Sequence, residues 1–336
     1  MASTHATEHK WQPMNVFVAQ GSEAEKKYRS RAEITAGELE AIAPGISPTP
    51  GHDLHYHRGK TVANLTFTNF YVGGISAWQP SDVQNIDSAL AAALSDSGLN
   101  NVLTQYFHSM PTATFKPSQV LAGSPPALMS QGDVETLVGQ LQANGQLNGY
   151  DLATSVFNVM LPRGTVLTDN PTPGAVHSAQ SAEARGRGIP SEEEASSLHG
   201  LGGYHGSIHA GGVTIYYAVG VFSERSAGQT NGIPVFDQPW KNVVATFYHE
   251  LCEARTDADV EDVIKGGAAR LLGWTSRQGE EVGDFPIAEA NPLTQVFKEV
   301  PLAAGGGTIP VQFQYSNRVH GPEGPRATPY PFFHGH

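Results

Sequence analysis

Along residues 61–255 the apolar positions switch repeatedly between alternation and helical spacing, and each switch marks a new element. The run "TVANLTFTNFYVGG" alternates in the β-branched and aromatic manner of a strand and stops at Gly73-Gly74. "QPSDVQNIDSALAAALSDSG" then sets Val83, Ile86, Leu90 and Leu94 on one helical face, with Ser81 as the expected N-cap and Gln84 three residues on. "NVLTQYF" reads as a second strand, and "QGDVETLVGQLQANGQL" as a second helix that presents Val134, Leu137, Val138 and Leu141 together. "DLATSVFNVMLPRGTVL" returns to strand character. Residues 164–203 are rich in Gly, Pro, Ser and Glu without periodicity, the mark of a long loop. "GVTIYYAVGVF" is the strongest strand of the chain, and a helix around His249 follows it.

This order predicts an α/β (α+β) fold of three layers with a mixed sheet over residues 61–255. Residues 1–60, polar and carrying a short helix at "SRAEITAGELEAIA", are expected to wrap it as an extension. Residues 256–336 are expected to form a loop-rich C-terminal part that completes the site.

Composition narrows the function classes. A chain of 336 residues is long enough for one large catalytic unit or two closely packed subdomains. A hydrophobic content of 39% against 15% charged residues belongs to a globular protein, and 37 Gly with 23 Pro implies many turns. The formal charge of −12, with no run of Lys or Arg, argues against nucleic acid and against anionic membranes as partners. Cys252 is the single cysteine, which rules out an intramolecular disulfide and a Cys-rich zinc knuckle and leaves it as a small core residue. No apolar run is long enough to span a bilayer, and "MASTHATEHKWQPMN" lacks the pattern of a signal peptide; a soluble protein, secreted or cytoplasmic, is expected.

The candidate chemistry sits in "VVATFYHELCEARTDADVED". His249 and Glu253 are four apart, so they stack on one helical face, while Trp240, Val244, Phe247 and Leu251 form the opposite stripe. On this pattern the stripe packs on the sheet and the polar pair looks away from it. Imidazole and carboxylate on successive turns suit a zinc ion, and Glu250 beside them is placed to hold and deprotonate a water. A carboxylate at the second position also admits another divalent ion. The competing reading is a solvated helix face. Downstream, "LGWTSRQGEEVGDFPI" offers Glu280, Glu281 and Asp284 in a Gly-flanked turn as third ligands. Upstream, "GLGGYHGSIHAGG" places His205 and His209 between glycines, as ligand or substrate groups or as plain loop histidines.

Asp257, Asp259, Glu261 and Asp262 lie close enough in sequence for Ca²⁺, or simply open a helix at "DVEDVIKGGAARLL". Tyr315 and His320 are candidates for donating a hydrogen bond to an oxyanion opposite the metal, or are a core aromatic and a turn residue. His334 and His336 read as chain ends. No GxGxxG, GxxxxGK[ST] or GxSxG pattern is present, and Cys252 lies inside the helix without activating neighbours.

HELCEARTD, then Gly273-Trp274, then GEEVGD resembles the HELxEAxTDP…W…GEEIGD pattern of secreted and cell-surface bacterial proteins, and the wider layout over about residues 55–320 resembles the phosphate-induced, exordium-like family. Only residues 246–287 are motif-specific, Ala258 stands where the pattern has Pro, and "ADVEDVIKGGAARL" lengthens the stretch before Gly273. The resemblance implies a zincin-like core with His249 and Glu253 as ligands, Glu250 as general base and Asp284 as third ligand. Plant members of the family lack the His-Glu pair. Two functions therefore stand as expectations: a zinc-dependent peptidase or amidase, or a non-catalytic binding or cell-surface module with at most a structural metal.

Overall fold

The computed structural model describes residues 15–28, 43–174 apart from 97 and 108, and 195–327 apart from 227 and 304. The helix expected over residues 30–43 lies outside the described residues except for its last position, as do the middle of the Gly- and Ser-rich loop and the terminal histidines.

Its centre is a mixed sheet. The strands are β1 (Val16–Val18), β2 (Asn64–Tyr71), β3 (Thr112–Phe115), β4 (Gln119–Val120), β5 (Ser155–Met160), β6 (Leu201–Ala210) and β7 (Val213–Gly220). Their spatial order is β1-β6-β7-β5-β2-β3, with β4 also on β2. β7, β5, β2 and β3 run parallel to one another, and β6 is antiparallel to both of its neighbours.

The period of two in the strands sorts the core into layers. Val156, Met160, Tyr216 and Ala218 face a cluster shared with α2 (Pro80–Ser95) and α4 (Pro239–Thr256), while Phe157, Val159, Ile215, Tyr217 and Val219 face α3 (Gln131–Ala143) on the other side. The expected three-layer α+β arrangement with a mixed sheet is what forms. A short helix, α1 (Glu23–Tyr28), precedes it, and α5 (Val260–Ile264) and α6 (Asp284–Glu289) follow α4. A hairpin of β8 (Phe297–Pro301) and β9 (Thr308–Gln312) packs back on α4, and Leu54 and Tyr315 join the same core as Val244 and Leu251. The segment before residue 60 also contributes directly, since Val16–Val18 pairs with β6. Among the described residues no helix is long and apolar enough to cross a membrane.

Two local expectations are corrected. "NVLTQYF" is a 3₁₀ turn over Asn101–Tyr106, not a strand: its apolar residues fall at 102, 103, 106 and 107, which a helical turn buries together and an alternating strand cannot. Thr112–Phe115 takes the sheet position instead. Ser81 is not the N-cap of α2, because Pro80 opens the helix at its first position and Gln79 precedes it in extended conformation.

Candidate metal centre

Helix α4 begins at Pro239, whose fixed φ suits a first helical position, and every residue from Asn242 to Thr256 is buried. Val244, Phe247 and Leu251 enter the core as expected, with Trp240 partly buried against it. The other face does not look into water. His249, Glu250 and Glu253 are each 0% exposed, so the solvated-face reading is overturned, and because Glu250 meets His205 of β6 and His249 meets Phe17 of β1, so is the expectation that this face looks away from the sheet. The helix lies between two walls: β6 and β1 on one side, and the 280–284 turn with β9 on the other.

Small residues permit that approach. A Cβ at Gly203 on β6 would collide with the Val219 carbonyl and crowd Glu250 Oε1 at 3.3 Å, and one at Gly283 would run into the His249 ring and the Glu253 carboxylate. The Phe17 ring of β1 lies 4.6 Å from that of His249.

The polar atoms inside these walls converge. His249 Nδ1 is 2.8 Å from Gln312 Oε1, while the Gln312 amide nitrogen donates to Gly283 O at 2.6 Å. The glutamine therefore presents its oxygen, and His249 donates from Nδ1 and turns its Nε2 lone pair inward. Nε2 lies 3.0 Å from Glu253 Oε2 without hydrogen-bond alignment, and neither atom has a hydrogen-bond partner. Glu253 Oε1 accepts from Gly283 N–H at 3.0 Å. Asp284 opens α6 and accepts Glu281 N–H at 2.9 Å. One ligand atom each from His249, Glu253 and Asp284 lies within 4.8 Å of the others, as does a second set from His205, Glu250 and Glu253.

His205 repeats the pattern of His249. Its Nδ1 is 3.2 Å from Glu250 Oε2 and 3.8 Å from Glu253 Oε2; its Nε2 is unpartnered and 3.6 Å from Glu281 Oε1. Glu250 Oε1, both oxygens of Glu281, and Asp257 Oδ2 are also buried without partners. Among the described residues no lysine or arginine pairs with Glu250, Glu253, Asp257 or Glu281; Arg255, the buried cation of α4, is turned to the carbonyls of Val62, Ala63 and Thr112.

This crowding acts on protonation. Burial pushes Glu250 up to about 8, with the His205 hydrogen bond opposing, and pushes Asp257 up to about 8. Glu281 is held well above the carboxylate range by burial and then by Glu253, Asp257, Asp284 and Glu250 around it. For His205 and His249 burial favours the neutral ring, yet the carboxylates of Glu250 and Glu253 respectively outweigh it and raise both. The cluster attracts cations.

The structure thus brings His249, Glu250, Glu253 and Asp284 together. Glu280 is apart, 2.5 Å from His52 Nδ1 and bonded to Ser276. His320 sits at φ 57° with its Nδ1 engaged by Asp53, 2.9 Å from Oδ1 and 3.0 Å from Oδ2, and is not among the residues whose ligand atoms converge at the cluster. Tyr315 is buried and donates to Thr49 O at 2.8 Å. The acidic run after α4 disperses: Asp257 holds Gly273 N–H, Asp259 takes the Tyr216 hydroxyl, Glu261 faces Ser207 and Lys265, and Asp262 faces His209. Sequence reasoning did not single out Gln312, and ranked Glu281 below Asp284. Nothing around Gln312 signals its role, whereas Glu281 was readable as one of two adjacent carboxylates in a Gly-flanked turn. No family model, curated protein or solved structure matches the chain.

Proposed function

We propose that the protein is a metal-dependent hydrolase of zincin type acting on a peptide or small amide, with a divalent ion, zinc in the first instance, held by His249, Glu253 and Asp284. The observation that carries this reading is the 3.0 Å approach of His249 Nε2 to Glu253 Oε2, both unpartnered. With Nδ1 committed to Gln312, the Nε2 lone pair and the Glu253 oxygen face each other in the interior, an arrangement that repels unless a positive charge, a metal ion or a proton on Nε2, lies against both, and a metal ion can also take Asp284 as its third partner. The donor set, one imidazole with two carboxylates, suits a borderline first-row ion.

An ion bound there supplies Lewis acidity, which acidifies a water and polarises a carbonyl. The remaining work belongs to the chain. Glu250 keeps Oε2 on His205 and leaves Oε1 unpartnered beside the ligands. Burial raises its basicity toward neutral pH, so Oε1 takes the proton of the attacking water and returns it to the leaving amine. Gln312 holds the His249 ring in its tautomer and orientation.

One observation favours a second reading. The ligands are wholly buried, as a structural ion's ligands are, and a non-catalytic module of the exordium-like kind needs no opening to its metal. Elemental analysis of the purified protein, followed by hydrolysis assays on peptide and amide libraries with and without chelator, separates the readings. Chelator-sensitive hydrolysis supports the enzyme. Bound metal without any hydrolysis supports the module, and a protein that takes up no divalent ion overturns both.

A further inference from the structure

A substrate can reach His249, Glu250, Glu253 and Asp284, all buried, only if one wall of the site withdraws. Three walls are held from several sides. β6 is paired with β7 along residues 203–210, and α4 is buried from Asn242 to Thr256. The 280–284 turn is tied down by Gln312 on Gly283 O, by Tyr315 N–H on Val282 O at 2.7 Å, and by Phe285 in the core. β1 is the exception. Among the described residues it is three residues long, stands at the edge of the sheet, pairs with β6 alone and shifts register between Phe17 and Val18. A short edge strand held on one side is the wall that opens at least cost.

This segment lies directly on the site. Asn15, just before β1, donates from Nδ2 to His205 O at 2.5 Å and accepts His205 N–H at 3.2 Å. The Phe17 ring meets that of His249 at 4.6 Å and belongs to a satellite apolar cluster with Ile233, Ala245, Ile287, Val296 and Phe297. A Cβ at Gly202 would collide with the Phe17 ring, so β6 has glycine where the ring is received. Past β1, the exposed Gln20 donates to Ala288 O on α6, the helix that Asp284 opens. The segment therefore runs from His205, across His249, to the helix of the third ligand.

Adding a strand to a sheet edge through the backbone while seating a side chain in a pocket is a general mode of peptide recognition. We propose that residues 15–20 are an internal inhibitor. They hold the edge of β6 and, through Phe17, the pocket beside His249 where an extended peptide substrate with an aromatic or large apolar side chain binds. Hydrolysis then requires β1 to leave. The proposal rests on the metal reading above, and its test follows metal exchange so that the two fail separately.

Full-length protein loaded with Zn²⁺ is mixed with a colorimetric chelator, and zinc release is timed in the wild type, Phe17→Ala, Gln20→Ala and Leu141→Ala, each checked for folding by circular dichroism and melting. Leu141 is buried in the core on the α3 side of the sheet, so its variant reports loss of global stability alone. Release should quicken at least about tenfold in Phe17→Ala and roughly 2- to 10-fold in Gln20→Ala, which loses one hydrogen bond, with Leu141→Ala close to the wild type. Equal rates in all four proteins, or a rise in Leu141→Ala that matches Phe17→Ala, overturns the inhibitor and leaves the metal reading standing. A wild type that takes up no zinc overturns the metal reading itself. Should Phe17→Ala fail to fold, Gln20→Ala, altered at an exposed position, carries the same comparison. The substrate class is read with a fluorescent Asn-Val-Phe-Val-Ala peptide, which the loosened variant should bind more tightly than the same peptide with Asp in place of Phe. Equal binding of the two peptides, or binding of neither, overturns the apolar pocket.

Discussion

Gln312 Oε1 accepts the Nδ1 proton of His249 at 2.8 Å, across 63 residues of chain, and so decides which nitrogen of the imidazole is a ligand. Gln312→Leu keeps the volume close and removes the acceptor. Loss of such a partner typically lowers metal affinity 10- to 100-fold, so zinc binding measured by competition with a fluorescent chelator should weaken by that order, and because Gly283 O also loses its donor the fold should lose about 1–3 kcal/mol without changing its overall structure. Unchanged affinity would dissociate Gln312 from the site.

The two adjacent carboxylates of the 280–284 turn should behave differently from Asp284. Glu280 is committed to His52 and Ser276, so Glu280→Gln should leave metal content untouched and cost stability, about 1–3 kcal/mol in chemical denaturation. Asp284→Ala should lower the affinity of the metal site. Metal loss in Glu280→Gln with retention in Asp284→Ala would exchange their roles.

Gly283 has an ordinary φ of −98°, so backbone conformation does not require glycine there. Space does, since a Cβ would meet the His249 ring and Glu253. Gly283→Ala should therefore destabilise by about 1–3 kcal/mol through overpacking and displace both ligands together. Isothermal titration with Zn²⁺ is the check; a variant that binds as tightly as the parent contradicts the packing described for this wall.

What the sequence made legible was period, and what it hid was enclosure. The four-residue spacing of His249 and Glu253 placed them on one face, but helical period says nothing of what lies against that face. Phe17 and Gln312, which seal it, come from opposite ends of the chain with no local signal. The same limit explains Glu281, which looked equivalent to Glu280 until His52 claimed one of the two. In "NVLTQYF" composition suggested a strand while the spacing of its apolar residues already favoured a turn, and spacing won. The alternation in "GVTIYYAVGVF" and "DLATSVFNVM" survived because both strands are interior, with each face covered by a helix layer.

Glu261 gives a pH dependence apart from the metal ligands. Burial, and after it the neighbouring Glu135, raises it from an ordinary 4.5 to about 7 against the pull of Lys265. The folded chain thus keeps a proton that the unfolded chain has lost, and this contribution to stability falls as pH rises from about 4.5 to about 7. Glu261→Gln removes the titrating carboxyl, so its denaturation free energy should decline less steeply than the parent's over that window. Parallel profiles would show that Glu261 titrates normally.

The last test separates binding from chemistry at Glu250. Its carboxylate follows His249 by one residue, about 100° round the helix, with Oε2 on His205 and Oε1 unpartnered. Glu250→Gln retains size and the acceptor for His205 Nδ1, if the amide oxygen takes the place of Oε2, and removes the base. Folding and zinc content should survive. Loss of general-base assistance costs on the order of 10²–10⁴ in rate, so kcat on any substrate found should fall by that factor with KM little changed. Full activity in this variant would remove Glu250 from the mechanism. Loss of zinc instead would make Glu250 a ligand, in line with its place in the His205, Glu250 and Glu253 set, and the base would then have to be sought at Glu281, a carboxylate with both oxygens unpartnered.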